Sequence, residues 1–166
     1  YACEHGRREK GRLNRTGSTH GSIECINGQC YVFYHRLTHM SGYSRQACAG
    51  PITILPNGSI PQVEITSCGL YGKPLHGIGT YPAVIACNIT NGHMPHGSNK
   101  IYTDSFPNAT HCGEDRFIGE IQDGTMLGYK YFAFSGAKEI GVQYRGSCNG
   151  KFVVSDNMDG KNIVAE

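Results

Sequence analysis

At 166 residues, 39% of them hydrophobic, the chain can bury a core, which excludes a disordered polypeptide. Charged residues make up only 17%, the formal net charge is +2, and 23 glycines imply many turns and little surface helix, so the expected class is all-β. No apolar run approaches the roughly 18 residues of a membrane-crossing helix and no basic face on a known module appears, so neither a membrane nor a nucleic-acid partner is expected.

The clustered basic residues lie in HGRREKGRLNR, residues 5–15, and read as a solvated loop. The chain opens on Tyr1, without Met and without the basic, apolar and small-residue pattern of a signal peptide, and closes on what reads as a strand, a turn and the start of another strand. The expectation is a piece of a longer protein. Eight cysteines, Cys3, Cys25, Cys30, Cys48, Cys68, Cys87, Cys112 and Cys148, are spaced too widely and irregularly for a zinc pattern. Their even number and the sequons at Asn14, Asn57, Asn88 and Asn108 fit a secreted, partly disulfide-bonded chain, whereas buried free thiols in strands look the same in sequence. Cys25 and Cys30, flanking an Asn-Gly turn, are the pair expected to face each other.

Strand signals then recur along the chain. SIECI and YVFYHR flank NGQC, a strong hairpin signal because Asn-Gly supplies the positive φ angles of a tight turn. PITIL and IPQVEIT around PNGS read as a second hairpin. Residues 71–80, rich in Gly and Pro, read as a linker between a first region, 1–70, and a second, 81–166. In the second, AVIACNIT, FIGEI, DGTMLGYKYFAF, EIGVQYRG and KFVVSD read as short strands separated by Gly-containing turns, the pattern of the opening strands of a β-sandwich.

THGSIECINGQCYVFYHR, followed by SGYSRQACAGPITILPNGSIPQVEITSCGL, resembles the end of the catalytic domain of glycoside hydrolase family 43. The shared features are a His-Gly-Ser motif, an NGQ-YVFYHR hairpin, an SRQ element and a GSIPQVE-TSCGL run, in that order. TYPAVIACNIT and IQDGTMLGYKYFAFSGAKEIGVQYRGSCNGKFVVS resemble, more loosely, the first part of a family 6-like carbohydrate-binding sandwich. The resemblance implies the last blade of a five-bladed β-propeller followed by a partial, jelly-roll-like β-sandwich. It also implies a secreted or periplasmic β-xylosidase or α-L-arabinofuranosidase acting on xylan or arabinoxylan by inversion.

Inversion needs a carboxylic acid to protonate the leaving oxygen and a carboxylate to activate water, roughly 6.5 to 9.5 Å apart. In the family these carboxylates come from earlier blades, so none is expected in this chain, which alone should be inactive. Glu24 and Glu64 match no catalytic motif of the family and read as strand carboxylates. Asp104, Glu114, Asp115, Glu120 and Asp123 read as surface and turn residues.

Two site residues carry over. His20, of the His-Gly-Ser element, is implied to face the propeller centre as a substrate-side residue and, through water, as a contributor to a calcium site, although calcium prefers oxygen donors. Arg45, in YSRQ, is implied to hydrogen-bond sugar hydroxyls with its planar, permanently charged fork. His35 and Arg36 are expected to pack or pair near the blade edge. The chain departs from the family in carrying Cys30 where relatives often have Trp, and it has no Trp at all, which removes the commonest sugar-stacking ring. Tyr129, Tyr131 and Tyr144 are the aromatic residues weighed for that task. The rival expectation is a noncatalytic, disulfide-stabilised secreted binding domain in which the His-Gly-Ser element is only a turn.

Overall fold

The computed structural model describes residues 12–17, 20–97, 102–147 and 149–166. In chain order the strands are β1 Gly21–Ile26, β2 Gln29–Leu37, β3 Arg45–Ile52, β4 Leu75–His76, β5 Asn88–Thr90, β6 Asn108–Cys112, β7 Asp115–Gly119, β8 Met126–Gly128, β9 Phe132–Ala133, β10 Val154–Ser155 and β11 Ile163–Ala165. A 3-10 turn occupies Ala83–Ile85. The class is all-β. Among the described residues the strands form one three-stranded sheet, β1-β2-β3, and four two-stranded pairs, and neither a closed propeller nor a sandwich is completed.

The β1-β2 hairpin follows from its turn. Asn27 and Gly28 have φ of 50° and 80°, the left-handed geometry whose twist matches paired strands, and Ile26 pairs with Gln29 directly across it. One step further the disulfide Cys25–Cys30 bridges a paired position. Closing so short a loop limits its worth to about 2 kcal/mol, less what the turn already supplies. The Cys25→Ser/Cys30→Ser double variant should therefore lower the urea midpoint by no more than that equivalent and leave the far-ultraviolet circular dichroism unchanged; collapse of the fold would contradict this reading.

The second expected hairpin forms only its turn. Leu55 N–H donates to Ser59 O at 2.9 Å and Gly58 N–H to Leu55 O at 2.8 Å, but residues 60–66 build no strand. Pro51, Pro56 and Pro61 remove backbone donors that a ladder needs. Within residues 71–80, β4 runs parallel to β9, with Leu75 N–H donating to Tyr131 O at 2.8 Å and Gly77 N–H to Ala133 O at 2.9 Å. A Cβ on Gly77 would stand 2.6 Å from Ala133 O and Phe134 Cα, so this approach requires glycine. AVIACNIT divides into the 3-10 turn and β5, and EIGVQYRG forms no strand.

The core lies in the second region, where Val84, Ala86, Ile89, Ala109 and Ile118 pack together with Ala83 and Leu127 against them. The start of the described chain seals it. Ile89 N–H donates to Leu13 O at 2.9 Å, Asn14 Nδ2 to Cys87 O at 2.9 Å and Thr90 Oγ1 to Arg12 O at 2.7 Å.

Arg12 and Arg15 correct the solvated-loop expectation, being only 5% and 9% exposed; residues 5–11 of that basic run lie outside the described residues. Arg15 sits over the Tyr102 ring, 4.6 Å from its centroid, and donates to Ser41 O and Gly97 O. The same packing changes the meaning of the sequons. Asn14, Asn88 and Asn108 are buried, which bars a glycan in this fold, while Asn57 stands exposed in its turn. Cys3 and Cys148 lie outside the described residues; Cys48, Cys68 and Cys112 are free thiols.

Candidate functional site

Register decides which side chains of the three-stranded sheet can cooperate, because directly paired residues share a face. Arg45 pairs with Leu37, Ala47 with His35 and Ala49 with Phe33, so these residues occupy one face. Gly21 pairs with Tyr34, which places His20, one residue earlier, opposite His35 on that same face. The rings of His20 and His35 stack with centroids 5.5 Å apart, and Arg45 Nε donates to His35 Nε2 at 3.3 Å. His20 and Arg45 are exposed, and His35 is half-buried beside them.

His35 is the member that motif reading placed elsewhere. The usable signal was its position in the hairpin register, one pair beyond the end of β1. Because His35 Nε2 accepts from Arg45, the proton of the neutral ring is on Nδ1. The cluster therefore presents one permanent cation and two imidazoles, groups suited to hydroxyl recognition.

The opposite face has a different purpose. Arg36 Nε donates to Gln46 Oε1 at 2.8 Å, its Nη1 to Ala86 O at 2.5 Å and its Nη2 to Val84 O. Gln46 Nε2 also reaches Val84 O at 3.2 Å, and the Tyr129 hydroxyl donates to Ala83 O at 3.1 Å. The sheet is thereby fastened to the 3-10 turn and the residue after it through the carbonyls of Val84 and Ala86.

Burial sets the protonation of this cluster. It pushes Tyr34 up to about 12, with Cys48 and Cys87 adding to the rise and Arg36 opposing it. It raises the Cys48 thiol and the Tyr129 phenol against the pull of Arg36, and lowers Arg36 itself. A thiol held protonated by burial is a poor nucleophile, so Cys48 is structural.

His39 offers a second tempting arrangement. Its Nδ1 lies 2.9 Å from Ser44 Oγ and 3.0 Å from Thr38 Oγ1, the spacing of a nucleophile and its base. Nε2, however, lies 3.2 Å from the His111 backbone N and 3.3 Å from the His111 carbonyl oxygen, so both ring nitrogens are engaged within the fold. The group ties the β2-β3 loop to β6.

Among the described residues the carboxylates are engaged separately. Glu24 is exposed on β1 opposite Tyr31, whereas Glu64 accepts from Lys130 Nζ at 2.9 Å and from the Tyr131 hydroxyl at 2.9 and 2.8 Å. Asp115 pairs with Arg145 at 2.6 Å and Glu120 accepts from Ser105 Oγ at 2.9 Å. Tyr129 and Tyr131 are thus engaged with Ala83 and Glu64, and Tyr144 packs against Phe152 with centroids 5.8 Å apart.

The hydrogen bond from Lys130, helped by Tyr131 and only partly opposed by desolvation, holds Glu64 below the usual carboxylate range. A carboxyl lowered in the native state contributes stability above its unfolded pKa of about 4.3 and loses that contribution as pH falls through the lower native value. An NMR titration of the Glu64 carboxyl carbon should accordingly show a midpoint below 4.3, the ordinary value, that returns to normal in Lys130→Met. A midpoint at or above it in the unaltered chain would remove the tie from the description.

Among the described residues no group of three or more His, Cys, Asp or Glu side chains is arranged to hold a metal ion. Calcium takes six to eight oxygen ligands, and His20 offers nitrogen beside a second imidazole, so these residues alone do not fit a calcium site.

No family model matches the chain, and no solved structure matches it. The chain is similar to a protein of Thermoclostridium stercorarium named Xylosidase/arabinosidase, with 42% identity over 158 residues that cover 87% of this chain and 32% of the relative. The chain is therefore a homologue of that protein and spans about a third of its length.

Proposed function

We propose that the chain is the segment of a family 43-type glycoside hydrolase that closes the catalytic propeller and begins an accessory carbohydrate-binding sandwich. On this reading β1-β2-β3 is the last blade, residues 71–80 join the two parts, and residues 81–166 start the sandwich. The observation that carries it is the His20, His35 and Arg45 cluster on an open sheet face, in a chain homologous over most of its length to the xylosidase/arabinosidase. The apolar side chains left at the surface, among them Ile54, Leu55, Ile60, Val142 and Phe152, support it, since patches of this kind commonly meet other protein.

The parent protein would hydrolyse glycosidic bonds at xylose or arabinose units of xylan or arabinoxylan by inversion, with an acid and a base carboxylate supplied outside this chain. The task of the chain is to orient the sugar. Arg45 donates to its hydroxyls, His35 fixes the arginine at Nε, and His20 braces His35 by stacking. A calcium ion bound through water near His20 would draw its oxygen ligands from elsewhere in the parent. A polymeric substrate places the protein outside the cell or in the periplasm.

The test is hydrolysis of 4-nitrophenyl β-xyloside and α-L-arabinofuranoside. The parent should turn over at least one of them and the 166-residue chain neither. Turnover by the chain alone would sink the assignment of the carboxylates.

A further inference from the structure

At the far end of β3 from Arg45 the surface opens into a cleft of about 310 Å³ between Pro51, the 61–66 segment, Pro74 and Tyr131. That is near the lower limit, about 300 Å³, of pockets that hold small ligands. Its walls differ in character. Pro51, Pro74 and the half-exposed Tyr131 ring give an apolar side, while Gln62, Lys73 and Glu64 give hydrogen-bonding groups around it.

Glu64 is the fixed point. An ionised carboxylate offers about four acceptor positions, of which Lys130 Nζ and the single proton of the Tyr131 hydroxyl fill two. With its geometry set by two partners, the carboxylate lines the cleft with acceptor capacity left over. The charges narrow the ligand further. An anion would meet Glu64, and a cation would meet a carboxylate already matched by Lys130 with Lys73 close by. A neutral molecule with one apolar C–H face and a rim of hydroxyls satisfies both walls.

We propose that this cleft is a saccharide-binding subsite that takes one or two neutral pentose rings, stacking a sugar face on Tyr131 and accepting its hydroxyls at Glu64. The ligand class rests on the polysaccharide reading above; the site rests on the cleft itself. Glu64 then has a part in binding that its lack of match to catalytic carboxylates left open.

The experiment is a titration of the isotopically labelled 166-residue chain with xylobiose and with arabinobiose, followed by amide NMR shifts. Saturable shifts at Val63, Glu64, Thr66 and Tyr131 are expected, weakened at least tenfold by Tyr131→Ala and by Glu64→Gln. Tyr131→Phe, which keeps the ring and the fold while removing the donor to Glu64, should weaken binding less than Tyr131→Ala. Silence at these residues, or shifts confined to His20, His35 and Arg45, would overturn the subsite even if the parent hydrolyses xylosides. Saturable binding in the cleft with no glycosidase activity in the parent would uphold the subsite and sink the hydrolase reading instead.

Discussion

Arg36→Ala is expected to lower the stability of the chain by about 3 to 5 kcal/mol, because it removes charged hydrogen bonds from two buried carbonyls, leaving Val84 O only Gln46, and empties the space its side chain fills. Val84 and Ala86, whose carbonyls receive the guanidinium, are 4% and 1% exposed, so water cannot replace it without opening the core. Arg36→Lys should fall nearly as far, since one ammonium cannot span two carbonyls and Gln46 in the planar geometry they require. Gln46→Ala is the graded control. It removes one bond to Val84 O and one acceptor of Arg36 but leaves the guanidinium in place, and should cost about 1 to 2 kcal/mol. Urea midpoints of the three variants check the ranking; an Arg36→Ala midpoint close to the unaltered chain would mean that the sheet and the core region are not fastened there.

Which parts of this arrangement were legible in the sequence depends on how local their causes are. The Asn27-Gly28 hairpin was legible because two residues fix its turn and the turn fixes the register, which in turn carries Cys25 to Cys30 and His20 to His35. The turn at Asn57 was equally legible, but its flanking prolines withheld the ladder that turn chemistry suggests. Arg36 was not, since its partners are carbonyls 48 and 50 residues away, and carbonyls leave no trace in side-chain pattern. The same applies to β4 and β9, whose parallel pairing crosses a stretch that reads as linker. Burial of three of the four sequons was hidden for a related reason: Asn-X-Thr is a local motif, whereas exposure belongs to the tertiary fold. Within the candidate site, His20 and Arg45 were readable as motif members. That His35 couples them follows only from register.

In the parent enzyme, Arg45→Ala should lower kcat/KM on an aryl glycoside by roughly 100-fold, the loss typical when a group that orients a reactant is removed. Arg45→Lys should recover little of it. Lysine keeps the charge but replaces a planar fork by a point donor on a flexible stem, and it offers no Nε–H to His35 Nε2 at the guanidine position. His35→Ala separates positioning from contact. His35 holds Arg45 at Nε and stacks on His20, so its removal should loosen the arginine and raise KM with a smaller change in kcat, whereas Arg45→Ala should raise KM and lower kcat together. His35→Asn, whose amide oxygen can accept from Nε, should restore part of the KM loss. If Arg45→Ala and His35→Ala both left kcat/KM unchanged while the parent remained active, the cluster would be an ordinary hydrated sheet face and the sugar would be oriented by other residues.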